Sequence, residues 1–212
     1  MGHGYPILLD VSQQQILIVG GGHVAARKTL GLVEAGATRI TVVADRFLVE
    51  FPPGVRLLNQ AYDVSLLEGV RLVFAATNDP KVNDRVVSDA RERKIWVNRS
   101  DFDDQNPGDF STPAKYTDQN VVLTVSAASA ALAASIRDAI QRRWDPRWTQ
   151  MAKAMKELRP WIRNHPSIPQ QQRAVIFRTL AGDEAMDILS NQGIEALRDW
   201  LIQKHPELNN NA

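Results

Sequence analysis

Residues 16–28 read Ile16-Leu17-Ile18-Val19-Gly20-Gly21-Gly22-His23-Val24-Ala25-Ala26-Arg27-Lys28, or ILIVGGGHVAARK. Four apolar residues without polar alternation mark a strand buried on both faces, as in a parallel sheet. Three glycines break the run, and helix formers then resume. Three of the chain's 12 glycines fall on this one corner, so the backbone there has a special task. The corner fits G-x-G-x-x-A, and it lies between a strand and a helix in a βαβ unit. In that context Gly20 makes the tight turn, Gly22 lets the backbone approach a pyrophosphate, and Ala25 packs helix on strand. The helix start at His23 and Val24 offers unpaired N–H groups and partial positive charge to phosphates. A plain strand-to-helix turn is the alternative reading.

Outward from the corner, helix and strand signals alternate. A helix is expected over residues 24–35, ended by Gly36. Short strands are expected at 7–9, 40–43, 55–58, 72–76 and 95–97. Thr77-Asn78-Asp79-Pro80 is a cap-and-proline start for a helix over 82–93. Such alternation predicts an α/β fold, a Rossmann-like, mostly parallel sheet with helices on both faces. After residue 97 the pattern changes. Residues 101–115 read as a loop, 120–126 as a strand and 127–144 as an alanine-rich helix with a basic end. Helices follow at 147–158, 170–180 and 194–204, broken by Pro160, Pro166 and Gly193. The expected organisation is 1–113 as the dinucleotide-binding domain, 114–146 as a small α+β unit and 147–212 as an all-helical domain.

Ligands bind such sheets beyond the carboxyl ends of the strands. An acid about 20 residues past the glycines should meet the ribose hydroxyls. Asp45 stands there, followed by Arg46. Asp45 favours NAD by repelling a 2′-phosphate, whereas Arg46 could accommodate one. Ala76 and Thr77 end the next strand, and small residues there let the nicotinamide half lie close. Asp101 ends the 95–97 strand. A carboxylate beside a nicotinamide suits proton removal coupled to hydride transfer. The competing reading is a solvated loop acid, for Asp103, Asp104 and Asp109 share the segment.

Composition excludes several other chemistries. There is no cysteine, which removes disulfides, thiolate metal sites and Cys nucleophiles. The four histidines are far apart at 3, 23, 165 and 205, so no metal site is expected. A net charge of +1 argues against nucleic acid as a partner. The helical C-terminus holds acids as well as bases, and Trp148, Trp161 and Trp200 read as core. No apolar run approaches the ~20 residues that span a bilayer, and no secretory signal is evident. A cytoplasmic protein without a membrane partner is expected.

YPILLDV, ILIVGGGHVAARK, LVEAGA, FAATND, VNRSD and DFSTPA together resemble, in order and spacing, the N-terminal part of siroheme synthase. They are equally similar to free-standing precorrin-2 dehydrogenases. The resemblance is strong from about residue 5 to 137 and loose beyond. It implies NAD-dependent oxidation of precorrin-2 to sirohydrochlorin, and in some members insertion of Fe²⁺ as a chelation substrate. It implies a homodimer with a tetrapyrrole cleft, in which 114–146 is the dimerisation unit. By resemblance Asp101 is the catalytic residue, and cofactor contacts fall on His23, Val24, Asp45 and Arg46, beside Gly20, Gly21, Gly22, Ala76 and Thr77 from the reading of the strand ends. Asn98, Ser126, Lys115 and Arg137 are placed toward the polycarboxylate substrate.

Two departures from the family bear on this. The turn Ser126-Ala127-Ala128-Ser129-Ala130 lacks the glycines that relatives carry. Arg99 stands where relatives often have apolar residues, and it would either bind a substrate carboxylate or lower the pKa of Asp101. They motivate a second reading, an NAD(H)-binding regulatory or sensor module without tetrapyrrole catalysis.

Overall fold

The structure is a computed structural model that describes residues 4–101 and 105–209. The chain forms two compact units that divide between Thr112 and Pro113. In the first, β1 (Gln15–Val19), β2 (Arg39–Ala44), β3 (Arg56–Asn59), β4 (Leu72–Ala75) and β5 (Trp96–Arg99) make one sheet in the order β3-β2-β1-β4-β5. Every pairing is parallel, with Ile16 opposite both Ile40 and Leu72. The order reverses at β1, so the carboxyl ends of β1 and β4 flank the switch point where such sheets hold ligands.

The apolar runs behave as a two-sided sheet requires. Leu17, Val19, Val73 and Val97 enter a core with Val86, Val87 and Ala90 of α2 (Pro80–Glu92). Ile16, Ile18, Val42 and Phe74 face Ala25 of α1 (His23–Glu34) on the other side. Asp79 caps α2 by accepting the Lys81 N–H at 2.9 Å, with Pro80 at the first helical position.

One expected strand is absent. Residues 7–9 stay outside the sheet, and Leu8 is 83% exposed. The run is only three residues long. Pro6 before it has no N–H to donate, and Asp10 after it turns the chain by accepting the Ser12 N–H.

The second unit begins with the antiparallel pair β6 (Ala114–Asp118) and β7 (Val121–Val125), joined by the two residues Gln119 and Asn120. β6 begins inside the loop expected over 101–115 and runs on to Asp118; its polar–apolar alternation spans only five residues and follows two prolines, too weak a strand signal to stand out. α3 (Ala130–Gln141) packs on this hairpin, and Ser129 caps it by accepting the Leu132 N–H at 3.2 Å. The altered turn thus supplies a helix cap. α4 (Pro146–Asn164), α5 (Gln170–Leu180) and α6 (Asp183–Lys204) enclose a core that includes Leu158, Ile162, Ile176, Leu180, Leu197 and Leu201.

Pro160 does not end α4, contrary to its expected role as a breaker. Its pyrrolidine is exposed, while Leu158 and Ile162 on either side are buried. Burial of that stripe outweighs the one lost helical hydrogen bond. Gly193 does break α6, at φ +87°, but helix also precedes it, over residues that carried no clear period. Trp148, expected in the core, is 43% exposed and meets Trp144 edge-on at 5.0 Å. Trp161 and Trp200 pack against the helical core.

Candidate active site

The glycine corner divides its work among three residues. Gly20 sits at φ +138°, and a side chain there would run into the Ala76 carbonyl. Its N–H donates to the Val43 carbonyl at 2.9 Å, while Ala76 N–H donates to Val19 at 2.8 Å. These bonds tie the ends of β1, β2 and β4 together. Gly21 lies against the Arg46 carbonyl, so it too has no room for a Cβ. Leu48 N–H donates to Gly21 at 2.8 Å and folds the 45–48 segment over the corner.

Gly22 is different. A Cβ built there meets nothing within 4 Å. It is the N-cap of α1, and no side chain caps that helix and no acid stands in its first turn. The opening N–H groups of an α-helix have no carbonyl partners within the helix. Open space and uncapped donors together form a cradle for an anion. Ala25 is fully buried, as close helix–strand packing requires. A dinucleotide's pyrophosphate fits this corner, where Gly22, His23 and Val24 would hold it.

Asp45 and Arg46 follow β2 and are exposed. Asn59 fixes the backbone there by donating to the Asp45 carbonyl. The Asp45 carboxylate stands one strand from the glycines, which suits the ribose hydroxyls.

At the end of β4, Ala76 is buried and Thr77 partly so. Asn83 of α2 was missed in the sequence, although it is a polar residue on the apolar face formed by Val82, Val86, Val87 and Ala90. It is fully buried. Its Oδ1 accepts from Thr77 N at 3.2 Å and Thr77 Oγ1 at 2.8 Å, and its Nδ2 donates to the Thr77 carbonyl at 3.1 Å.

Asp101 lies just past β5, where Ser100 N–H donates to the Ala75 carbonyl at 2.9 Å and prolongs the β4–β5 ladder. Arg99 holds the Asp101 carboxylate with two bonds, Nε to Oδ1 at 2.9 Å and Nη2 to Oδ2 at 3.0 Å. The same guanidinium pairs with Asp84. Its side chain is 1% exposed, so it is committed to these carboxylates. Burial pushes the Asp101 carboxyl up, but the paired hydrogen bonds and the charge of Arg99 outweigh it and hold the group below the usual carboxylate range. Asp103 and Asp104 lie outside the described residues.

Asn98 departs from the placement expected of a substrate contact. Strand alternation turns it inward, it is 3% exposed, and its Nδ2 donates to the Phe110 carbonyl at 2.7 Å. Its Oδ1 and the Ser100 hydroxyl oxygen are buried without a partner among the described residues. Asp109 serves structure. It accepts the Val97 N–H and donates its own N–H to Val97 O, covering the β5 edge. Lys115, Ser126 and Arg137 belong to the second unit. Lys115 is exposed on β6, Ser126 follows β7, and Arg137 donates to the adjacent Asp138 at 2.8 Å. Among the described residues no three His, Asp or Glu side chains converge on a metal site. No described helix is long and apolar enough to cross a membrane.

Residues 7–114, about half of the chain, match the family model NAD_binding_7, described as "Putative NAD(P)-binding".

The chain belongs to this NAD(P)-binding family.

Among curated proteins the chain is similar to siroheme synthase of Methylococcus capsulatus, 35% identical over 199 residues, which covers 91% of this chain and 42% of that protein. It is 33% identical over 213 residues to siroheme synthase of Nitrosospira multiformis, covering 92% of this chain and 43% of the relative. The chain thus spans less than half the length of the curated relatives it matches. Among solved structures it resembles "SirC, precorrin-2 dehydrogenase", with a TM-score of 0.73 and 24% identity over 94% of this chain and all of the other. That likeness fixes the fold, a Rossmann-like sheet followed by a helical region.

Proposed function

We propose that the protein oxidises precorrin-2 to sirohydrochlorin with NAD in siroheme biosynthesis. The observation that carries the proposal is a pair of strand ends at the same edge of the sheet, those of β1 and β5, with the end of β4 between them. One offers an open, uncapped helix start at Gly22, and the other holds Asp101 as a carboxylate. The similarity to siroheme synthases over nine-tenths of the chain supports the substrate class. NAD, when bound, supplies a hydride acceptor. The reaction balances as precorrin-2 and NAD⁺ giving sirohydrochlorin, NADH and a proton. Asp101 is the group that receives the proton, and Asp45 favours NAD over its 2′-phosphorylated form.

The substrate is a polycarboxylate, so cations are needed near it, and Lys115 and Arg137 are proposed to serve. Asn98 keeps one acceptor, its buried Oδ1, for a bound water. A homodimer is proposed through the hairpin and α3. A two-stranded sheet is marginal by itself, and Val122, Leu132 and Ile136 are exposed on this small layer. Sedimentation showing a monomer at working concentration would contradict it. Entry of Fe²⁺ into sirohydrochlorin would also release pyrrole protons to Asp101. Assay with sirohydrochlorin and Fe²⁺, without NAD, tests that activity separately.

The Arg99–Asp101 pair favours one second reading. A carboxylate held so acidic is a weak base, which fits a module that binds NAD(H) and senses rather than reacts. Titration with a stable tetrapyrrole separates the two. Saturable binding supports the enzyme, and NADH binding without tetrapyrrole binding supports the sensor.

A further inference from the structure

Lys28 is a half-buried cation without an acid. It reaches from α1 over β4, where its Nζ donates to the Thr112 hydroxyl at 2.9 Å and lies 5.5 Å from the centre of the Phe74 ring. Among the described residues no Asp or Glu pairs with it, and the charge that bears on it, that of Arg27, repels. Taking an ammonium out of water without an anion is costly. Burial and Arg27 accordingly push the amine down to about 8. An ammonium has three N–H donors, and one goes to Thr112. Thr112 Oγ1 accepts that bond, so its own proton is left to donate elsewhere. The cluster is thus rich in donors and positive charge. Thr112 is exposed, which leaves this end of the cluster open to a ligand.

Its place in the fold suits the site. Phe74 lies opposite Asn98, one residue before the Ala75 end of β4. Phe110 meets Phe74 edge-on at 5.5 Å, and its carbonyl accepts from Asn98. The amine therefore stands near the sheet edge that carries the glycine corner and Asp101. We propose that Lys28 and the Thr112 hydroxyl together anchor one carboxylate of the tetrapyrrole substrate. The identity of that anion rests on the dehydrogenase reading; the cation without an acid does not. A carboxylate accepts several donors at once and supplies the missing negative charge. Lys115 is exposed and Arg137 is paired with Asp138, so neither calls for an anion as Lys28 does. A cofactor phosphate would suit the same donors, and the experiment separates the two.

The full chain is titrated anaerobically with sirohydrochlorin and, separately, with NADH. Wild type is compared with Lys28→Met, Lys28→Arg and Thr112→Val, and thermal melts show that each variant folds. Thr112→Val changes an exposed position and keeps the test open should Lys28→Met not fold. Lys28→Met should weaken sirohydrochlorin binding about tenfold and Thr112→Val about threefold, while Lys28→Arg, which keeps the charge, retains most of it. NADH affinity should stay within about twofold throughout. Undiminished sirohydrochlorin affinity in the folded Met and Val variants would overturn the proposal, and precorrin-2 turnover in the same samples would leave the dehydrogenase reading intact. A loss confined to NADH would also overturn it and assign the donors to a cofactor phosphate. A wild-type protein that binds NADH but not sirohydrochlorin would sink the dehydrogenase reading, and the anchored carboxylate with it.

Discussion

Arg99 holds Asp101 end-on, Nε to Oδ1 and Nη2 to Oδ2, from a position where its own side chain is almost wholly buried. The two residues are two apart in sequence, at and just past the end of one strand. The pair decides what the site's acid can be. Asp101 is an ionised, firmly oriented carboxylate rather than a group poised near neutrality.

Arg99→Met should release it. Burial would then dominate, and the Asp101 carboxyl should rise. In the native protein the depressed pKa stabilises the fold above the unfolded value of about 3.9, and that contribution is lost as pH falls through the lower folded value. The variant should lose stability at neutral pH by about 2 kcal/mol, less than for a fully buried pair because both carboxylates reach solvent. Its acid unfolding midpoint should move to higher pH. Urea melts at several pH values measure both effects.

The glycine corner separates fold from ligand. Gly22→Ala should cost no more than ~1 kcal/mol of stability, since Ala is a poorer N-cap than Gly and nothing stands in its way. It should weaken dinucleotide binding by about tenfold or more, equivalent to ~1.4 kcal/mol. Gly20→Ala should do the reverse of this division. Its positive φ and the Ala76 carbonyl make the cost structural, about 1–3 kcal/mol. Paired calorimetry of unfolding and of NADH binding tests the contrast.

Asp45 should govern cofactor choice. Asp45→Ala removes the charge that opposes a 2′-phosphate and leaves Arg46 beside it. The ratio of NADP to NAD affinity should rise by about tenfold. An unchanged ratio would remove Asp45 from the ribose site.

Lys28 of α1 should give the first unit a distinctive pH response. It donates to Thr112 at 2.9 Å and lies over the Phe74 ring, 5.5 Å from its centre. Burial and the neighbouring Arg27 push its amine down to about 8. The unfolded chain then binds more protons than the folded one between about 8 and the ordinary lysine value of about 10.4. Stability should therefore rise with pH across that window. Lys28→Met should flatten the rise, read from thermal melts at a series of pH values.

The sheet was legible because its strands are buried on both faces, and such runs as residues 16–19 and 72–76 admit no other reading at that spacing. The glycine corner was legible for a related reason: each of its backbone tasks excludes a side chain or calls for open space. Shorter or one-sided elements were not. Residues 7–9 look like a strand but have no partner, and β6 is too brief and alternating to stand out from the loop before it. Pro160 misled because local helix disruption is weaker than the burial of Leu158 and Ile162. At the site, the sequence admits two roles for Arg99, and its buried pairing with Asp101 selects the second. Asn83 was hidden because its importance lies in Thr77, a partner six residues away across the turn between β4 and α2. A polar residue on an apolar helix stripe was the one local sign.

The most direct measurement is anaerobic incubation of the protein with precorrin-2 and NAD, following NADH and sirohydrochlorin together in wild type and in Asp101→Ala. The account predicts one NADH per sirohydrochlorin in the wild type. In the variant it predicts loss of both products, with NAD binding retained. A wild-type protein that binds NAD yet forms neither product would contradict it, as would full activity in Asp101→Ala.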